Sequence, residues 1–364
     1  MILDRYFGWR FARAFVTVFG IFALLVVFIG MADTLRRFAD DAAGFGQILR
    51  LSLLSAPESL YQILPLIVII AAISMFLGLA RTSELVVARA AGRAGLRLLV
   101  APCIVALALG IIVVTVFNPI VAATSRQYEA DVAAIEGTGS VLAFSDTGLW
   151  LRQGNAAGQT VIHANGADLS GTQLSDVTFL NFGPDGLPQA RIKAAAAQLA
   201  DGMWQLTDAK SWPLSGDGNP EALATLAVTA AIPSSLTADE IRNSFGTPSS
   251  IPIWELPAFI DRLKAAGFSA QRHQVWFQME LSQPVFFVTM LLTGAGFTMR
   301  PQRGGKTGLN VMLAVLVAFG VYFVRNFAQI LGDNGDIPAA LAAWAPTLAA
   351  TALALGLLLE REEA

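Results

Sequence analysis

The stretch SLYQILPLIVIIAAISMFLGLA at residues 59–80 carries no charged side chain. As a helix it is long enough to cross the hydrocarbon core of a bilayer, which takes roughly 17–25 mostly apolar residues. Five more runs of similar length are equally free of charge: residues 14–32, 98–125, 281–299, 307–324 and 337–359. They explain why a chain of 364 residues is 55% hydrophobic and only 14% charged. A soluble domain carries about 25% charge, and disorder needs low hydrophobicity, so both classes are excluded. The net charge of −3 gives no basic surface for nucleic acid. One cysteine, Cys103, excludes a disulfide framework. The two histidines, His163 and His273, stand far apart and make no metal site by spacing. The chain is an integral membrane protein with six expected transmembrane helices.

A seventh uncharged run, residues 222–238, lacks bulky apolar density and holds Pro233, so it reads as strand and loop. The first span is too long for the 7–15-residue apolar region of a signal peptide. Ahead of it, Leu3, Tyr6, Phe7 and Phe11 alternate at helical spacing with Asp4, Arg5, Arg10 and Arg13. That pattern predicts an amphipathic helix lying in the headgroup layer.

Lys and Arg near span ends set orientation. The N-terminus carries Arg5, Arg10 and Arg13; the turn after span 2 carries Arg81, Arg89, Arg93 and Arg97; the turn after span 4 carries Arg300, Arg303 and Lys306. These belong on the cytoplasmic side, which predicts cytoplasmic termini and an extracytoplasmic insert between spans 3 and 4.

The insert reads as β structure. Residues 141–152, 160–164, 177–182, 191–199 and 203–206 are short extended runs separated by turn signals such as Asn165-Gly166, Gly183-Pro184-Asp185-Gly186 and Asp201-Gly202. A sandwich, a jelly roll or a related open sheet fits this spacing. Residues 239–263, punctuated by Pro248, Pro252 and Pro257, predict short helices leading back to the membrane. The expected organisation is residues 1–130 (amphipathic helix and spans 1–3), 131–270 (β domain with connecting helices) and 271–364 (spans 4–6). The insert has no catalytic constellation, so it reads as a binding module.

Gly305-Lys306-Thr307 imitates the end of a phosphate loop, but Arg300 stands where the pattern needs its first glycine. The chain is therefore expected to bind no nucleotide, metal or other cofactor. In the turn after span 2, Ser83 is placed to cap a short helix and Glu84 sits near the positive end of its dipole. Leu85, Val86, Arg89 and Ala90 share that helix and Gly92 ends it. The segment reads either as a plain basic hairpin or as a coupling helix for a cytoplasmic partner. Arg36, Arg37, Arg126 and Arg325 lie towards the outer ends of spans 1, 3 and 5. Singly each reads as an interfacial side chain. Together they form a candidate grip on the phosphates of an anionic lipid. Glu58 is the one carboxylate expected within a span.

Several segments together resemble the LptF/LptG family, the permease subunits of the lipopolysaccharide-export ABC transporter. They are Leu3-Asp4-Arg5-Tyr6, Asp33-Thr34-Leu35-Arg36-Arg37, Ser83-Glu84-Leu85-Val86-Val87 with Ala91-Gly92, residues 119–128 with Arg126, and the strand pattern Ala194, Ala196, Gly202, Trp204, Leu206. The order three spans, β domain, three spans is similar too, and the N-terminus looks more like the G-type subunit. The resemblance implies six transmembrane helices with an inserted periplasmic β-jellyroll. It implies a second, LptF-like six-span permease and a cytoplasmic LptB-like ATPase homodimer that uses the ATP. It further implies an LptC-like single-span β-jellyroll subunit and an LptA-like periplasmic bridge that receives lipopolysaccharide. Arg36, Arg37 and Arg126 would then face the lipid, and Ser83, Glu84, Leu85, Arg89 and Gly92 would couple to the ATPase. The role of Arg325 follows from its position alone. The alternatives are a receptor or scaffold working through its β domain, and an intramembrane enzyme.

Overall fold

A computed structural model describes residues 2–37, 44–90, 95–136, 142–145, 148–155, 158–167, 173–200, 202–215, 218–234, 248–265, 269–299 and 307–363. Among these residues, six helices are long and apolar enough to cross a membrane. They are α1 (Ile2–Arg37), α2 (Phe45–Arg81), the run from α4 (Gly95–Ile112) through a π-helical turn (Val113–Phe117) into α5 (Asn118–Glu136), α7 (Gln271–Thr298), α8 (Thr307–Asp333) and α9 (Ala339–Glu363). Between α2 and α4 lies the short helix α3 (Glu84–Ala90), and before α7 lies α6 (Leu256–Ala265).

The chain divides into two compact units. The first contains the six long helices, α5 as far as Asp131, together with the segment Ser249–Trp254. The second contains residues Val132–Pro248 and Glu255–Ala270.

In the helical unit, α2 and α7 form the centre. Ile67, Val68, Leu64 and Phe76 of α2 meet Phe286, Phe287, Met290 and Leu291 of α7 in one continuous core. By contrast, α1 and α8 each bury only 11% of their most apolar window. One close approach fixes the centre. A Cβ at Gly110 of α4 would lie 2.4 Å from the Cα of Pro284 in α7, so only glycine lets the two backbones meet.

The expected interfacial helix at the N-terminus is not a separate element. Residues 2–37 are one uninterrupted helix, about 54 Å long at 1.5 Å per residue. Its first turns overshoot a hydrocarbon core of roughly 30 Å. Phe7 and Phe11, on the apolar face of the expected interfacial helix, are instead buried in the bundle core.

The second unit is a seven-stranded antiparallel sheet: β1 (Leu142–Ser145), β2 (Gly148–Asn155), β3 (Gly158–Ala167), β4 (Gln173–Phe182), β5 (Pro188–Ala200), β6 (Met203–Pro213) and β7 (Thr225–Pro233). Each strand pairs with the next in sequence, a meander without crossovers. Leu151, Ile162, Val177, Phe179, Ala194, Trp204 and Leu206 bury one face, with Phe179 edge-on to Trp204 at 6.2 Å between ring centroids.

The inward alternation slips at one level of this sheet. In β4 the buried residues are Leu174, then Val177 and Phe179; in β6 they are Trp204 and Leu206, then Ala209. Asp176 and Asp208 absorb the slip with left-handed φ angles of 48° and 51°. The intervening strand β5 slips with them, burying Ala194 and Ala197. Asp tolerates this conformation better than most residues, and the strands keep their register across it. A β-branched residue there is penalised, so Asp208→Val is expected to cost ~1–2 kcal/mol. Asp208→Gly should be tolerated, and thermal melting of the full chain compares the two.

Candidate functional site

Each end of the helical unit carries a group of polar side chains, and a third group is buried within it. At the first, α2 ends, turns through Thr82 and Ser83, and enters α3. Ser83 takes a left-handed φ of 58°. Its carbonyl accepts the N–H groups of Val86 and Val87 at 3.1 and 3.2 Å, so the helix starts on a backbone cap.

Glu84 is held from three directions. The Tyr6 hydroxyl donates to Oε2 at 2.8 Å, the Thr82 hydroxyl donates to Oε1 at 2.8 Å, and the Arg10 guanidinium lies 3.5 Å from Oε1. Arg10 also donates to the Tyr6 oxygen at 2.9 Å. Partial burial pushes the Glu84 carboxyl up, but the Tyr6 and Thr82 hydrogen bonds and the Arg10 charge outweigh it and hold the group below the usual carboxylate range. The turn is thus clamped to α1.

Within α3, Leu85 and Ala88 stand three apart and share the inner face, at 1% and 3% exposure. Leu85, expected among the coupling residues, is therefore part of the bundle core. Val86 and Val87 face outward and carry the exposed apolar surface of the turn. Arg89 lies on α3, but its side chain is outside the described residues, as are Gly92, Arg93, Arg300, Arg303 and Lys306. Tyr6 and Arg10 were not legible as partners of this turn. Their amphipathic spacing suggested a membrane surface, and nothing local links them to a residue 78 positions away.

At the opposite end, Arg36 and Arg37 lie in the last turn of α1 and are exposed. Arg126 is exposed on α5, its Nε donating to the Ala122 carbonyl one turn back. Three contacts bring these helix segments to one end. Ser52 of α2 donates to Thr34 of α1 at 3.3 Å, Arg50 of α2 pairs with Asp131 of α5 at 3.0 Å, and Ser125 of α5 donates to Glu58 of α2 at 3.1 Å. Arg50 is a further cation at this end. An acid one turn above or below usually explains such a residue, but here the partner comes from another helix.

Arg325 is placed differently. It sits about two turns from the end of α8, is 7% exposed, and turns into the bundle. Its Nη2 donates to Gln283 at 2.8 Å and to the Met279 carbonyl at 3.1 Å, and its guanidinium lies 4.5 Å from the Phe286 ring centre. Glu280, beside these residues on α7, is 3% exposed and accepts a hydrogen bond from the Tyr61 hydroxyl. Glu58 is therefore not the sole carboxylate of the spans. The uncharged run at 281–299 began one residue too late to include Glu280, because α7 extends ten residues before it.

The sequence match to known proteins is continuous across both units. The family described as lipopolysaccharide export system permease LptF/LptG covers residues 5–360. The chain is 24% identical to the lipopolysaccharide export system permease protein LptG of Escherichia coli (strain K12) over 367 aligned residues, spanning 99% of this chain and 98% of that protein. It is 24% identical to the protein of the same name from Haemophilus influenzae, over 95% of each. Six spans, an inserted antiparallel β domain and an end-to-end family match lead to one conclusion: the chain is a multi-pass membrane protein that belongs to the LptF/LptG family of lipopolysaccharide export permeases.

Proposed function

We propose that this chain is a G-type permease subunit that takes lipopolysaccharide from the inner membrane and delivers it to its own periplasmic β domain. The observation that carries this reading is the separation of two polar ends on one bundle. One end offers Arg36, Arg37 and Arg126 for phosphates. The other offers a clamped turn with Val86 and Val87 outward. The first is where a planar, permanently charged donor group suits an anionic headgroup. The second suits docking in a groove of an ATPase.

The N-terminus and the α3 turn are then cytoplasmic and the insert periplasmic, in keeping with the basic residues near that turn. An LptB-like ATPase homodimer hydrolyses the ATP, and an LptF-like permease lines the other half of the lipid path. The sparsely buried helices α1 and α8 suit that seam, since their apolar faces await lipid or another subunit. An LptC-like subunit and an LptA-like bridge would receive the lipid from the β domain, whose edge strand β7 is largely exposed. No ATP, metal or other cofactor is assigned to this chain itself.

A photo-crosslinker placed at Phe28, exposed on α1, tests the lipid path. The double substitution Arg36→Glu with Arg37→Glu is expected to cut the lipopolysaccharide adduct by about tenfold or more, equivalent to ~1.4 kcal/mol. An unchanged adduct removes both arginines from the path. If the protein is instead a receptor working through its β domain, no lipopolysaccharide adduct forms at Phe28 in either form.

A further inference from the structure

The segment Ser249–Trp254 belongs to the helical unit although it lies between the β domain and α6 in sequence. Two side chains of the bundle hold this strap. The Ser249 hydroxyl donates to Glu58 at 3.0 Å, and the Ile253 N–H donates to Asn118 Oδ1 at 2.9 Å. Ile253 is 5% exposed and Asn118 is 1% exposed, so the second contact is an internal one.

Asn118 stands directly after the π-helical turn, its N–H reaching back to the Val113 carbonyl. The wide turn rotates the following residues relative to α4, and such turns recur at functional positions. After it, two residues seven apart stand against α2: Ser125 bonds Glu58, and Asn118 directly follows Phe117, whose ring stacks on Tyr61.

From Tyr61 the chain of contacts continues into the bundle. Its hydroxyl donates to Glu280 of α7, and its ring stacks on Phe117 at 5.9 Å. The Arg325 guanidinium is fixed by Gln283 and the Met279 carbonyl, which bracket Glu280 on the same helix. On α8 the buried residues are few: Ala314, Ala318, Arg325 and Gly332. Arg325 is the only one of these with a polar side chain. This sparsely buried helix thus has one buried polar anchor, Arg325, beside the more exposed bond from the Tyr322 hydroxyl to the Gln62 carbonyl of α2.

We propose that Asn118, Tyr61, Glu280 and Arg325 form an intramembrane latch that ties the strap at Ile253 to helix α8, so that the two shift together. These are positioning residues: none is placed on the lipid or on the ATPase turn. Polar side chains inside a span are expensive to bury and are kept where they serve a pathway or a moving part. A cation fixed by hydrogen bonds to the helix that also carries the acid has discrete arrangements rather than a continuum, which is what a two-position helix needs. The latch's consequence for transport rests on the export reading above, but the latch itself stands on contacts within this chain.

The experiment uses the full chain in lipid nanodiscs, with Cys103→Ser to clear the native thiol. Spin-label pairs at Leu53→Cys with Phe327→Cys read α8, and at Leu53→Cys with Trp254→Cys read the strap; all three sites are exposed. Arg325→Gln is expected to broaden or shift the strap distance as well as the α8 distance. Asn118→Leu is expected to do the same to the α8 distance, each by about 2–5 Å, less than one helical turn. Coupling between two sites is reciprocal, so both directions must appear. Arg325→Lys, which keeps the charge, should restore part of the unperturbed distribution. Tyr61→Phe removes a single hydroxyl and gives the same readout should Arg325→Gln fail to fold. Movement confined to α8 in the Arg325 or Tyr61 variant, with Asn118→Leu moving only the strap, overturns the latch and leaves two independent anchors. That result would leave lipopolysaccharide crosslinking at Phe28 untouched, so the two readings fail separately.

Discussion

Gly110→Val is expected to prevent accumulation of folded protein in the membrane. Even the Cβ of an alanine would lie 2.4 Å from Pro284 Cα, 3.0 Å from its Cβ and 3.2 Å from its nitrogen. Those atoms are backbone and ring, so no flexible side chain can give way. Pro284 is fixed in φ, and α7 is packed on most sides in the middle of the bundle. The remaining option is for α4 to retreat. Ala106, and Val113 one turn beyond Gly110, would then leave the core. Overpacking of this kind costs ~1–3 kcal/mol, and more where backbone meets backbone. Gly110→Ala should lower the melting temperature measurably and Gly110→Val should abolish the monodisperse peak in fluorescence-detected size exclusion. Gly20→Ala and Gly320→Ala are the controls, since a Cβ at either meets nothing within 4 Å. Each should be neutral or gain up to ~1 kcal/mol, the helix cost of glycine. If Gly110→Val behaved like these controls, the close approach of α4 and α7 would be wrong.

Glu84→Lys is expected to release the ATPase from the purified complex. The substitution removes the acceptor for Tyr6 and Thr82 and sets a second cation against Arg10. The α3 turn loses its clamp to α1, and the outward face formed by Val86 and Val87 loses its fixed position. Recovery of ATPase with the affinity-tagged chain should fall by about tenfold or more, ~1.4 kcal/mol of docking energy. Glu84→Gln keeps an oxygen for the Tyr6 hydroxyl and should lose less. If ATPase recovery and coupled transport were both unaltered in Glu84→Lys, the docking assignment would be discarded. The clamp also has a pH signature. A carboxylate whose folded pKa lies below its unfolded one contributes stability above the unfolded value and loses it as pH falls through the folded one. The Glu84 group is held low, so the turn should stay docked through mildly acidic pH and loosen only below the ordinary carboxylate range. Proteolytic nicking near Ser83 as a function of pH reads this directly.

Much of the architecture was legible without coordinates because it depends on local patterns. Each span shows as an absence of charge over a membrane's thickness, and turn signals such as Gly183-Pro184-Asp185-Gly186 and Asp201-Gly202 separate strands of the insert, although Asn165-Gly166, read as another such turn, lies within β3, where Gly166 pairs with Ser175. The short helix after Ser83 was legible too, from the capping position of Ser83 and from Glu84 in its first turn. What failed was the assignment of faces. Leu85 looked like a docking residue and is core, Phe7 and Phe11 looked interfacial and are core, and Arg325 looked like one more outer arginine and points inward. Glu280 was missed as a polar group of the bundle, and Arg10 as a partner of Glu84.

The reason is physical. In water, a helix reveals its inner face because only that side is apolar. In a bilayer the lipid tails are as apolar as the protein interior, so nothing in hydropathy distinguishes the side facing lipid from the side facing another helix. The sequence of this protein by itself therefore determined how many times the chain crosses and where the β domain is inserted. Only the tertiary structure decided which side chains meet: it buried Arg325 beside Glu280, clamped Glu84 to Tyr6 and Arg10, and packed the strap at Ile253 against Asn118. Those contacts join residues far apart in the chain, and no local pattern encodes them.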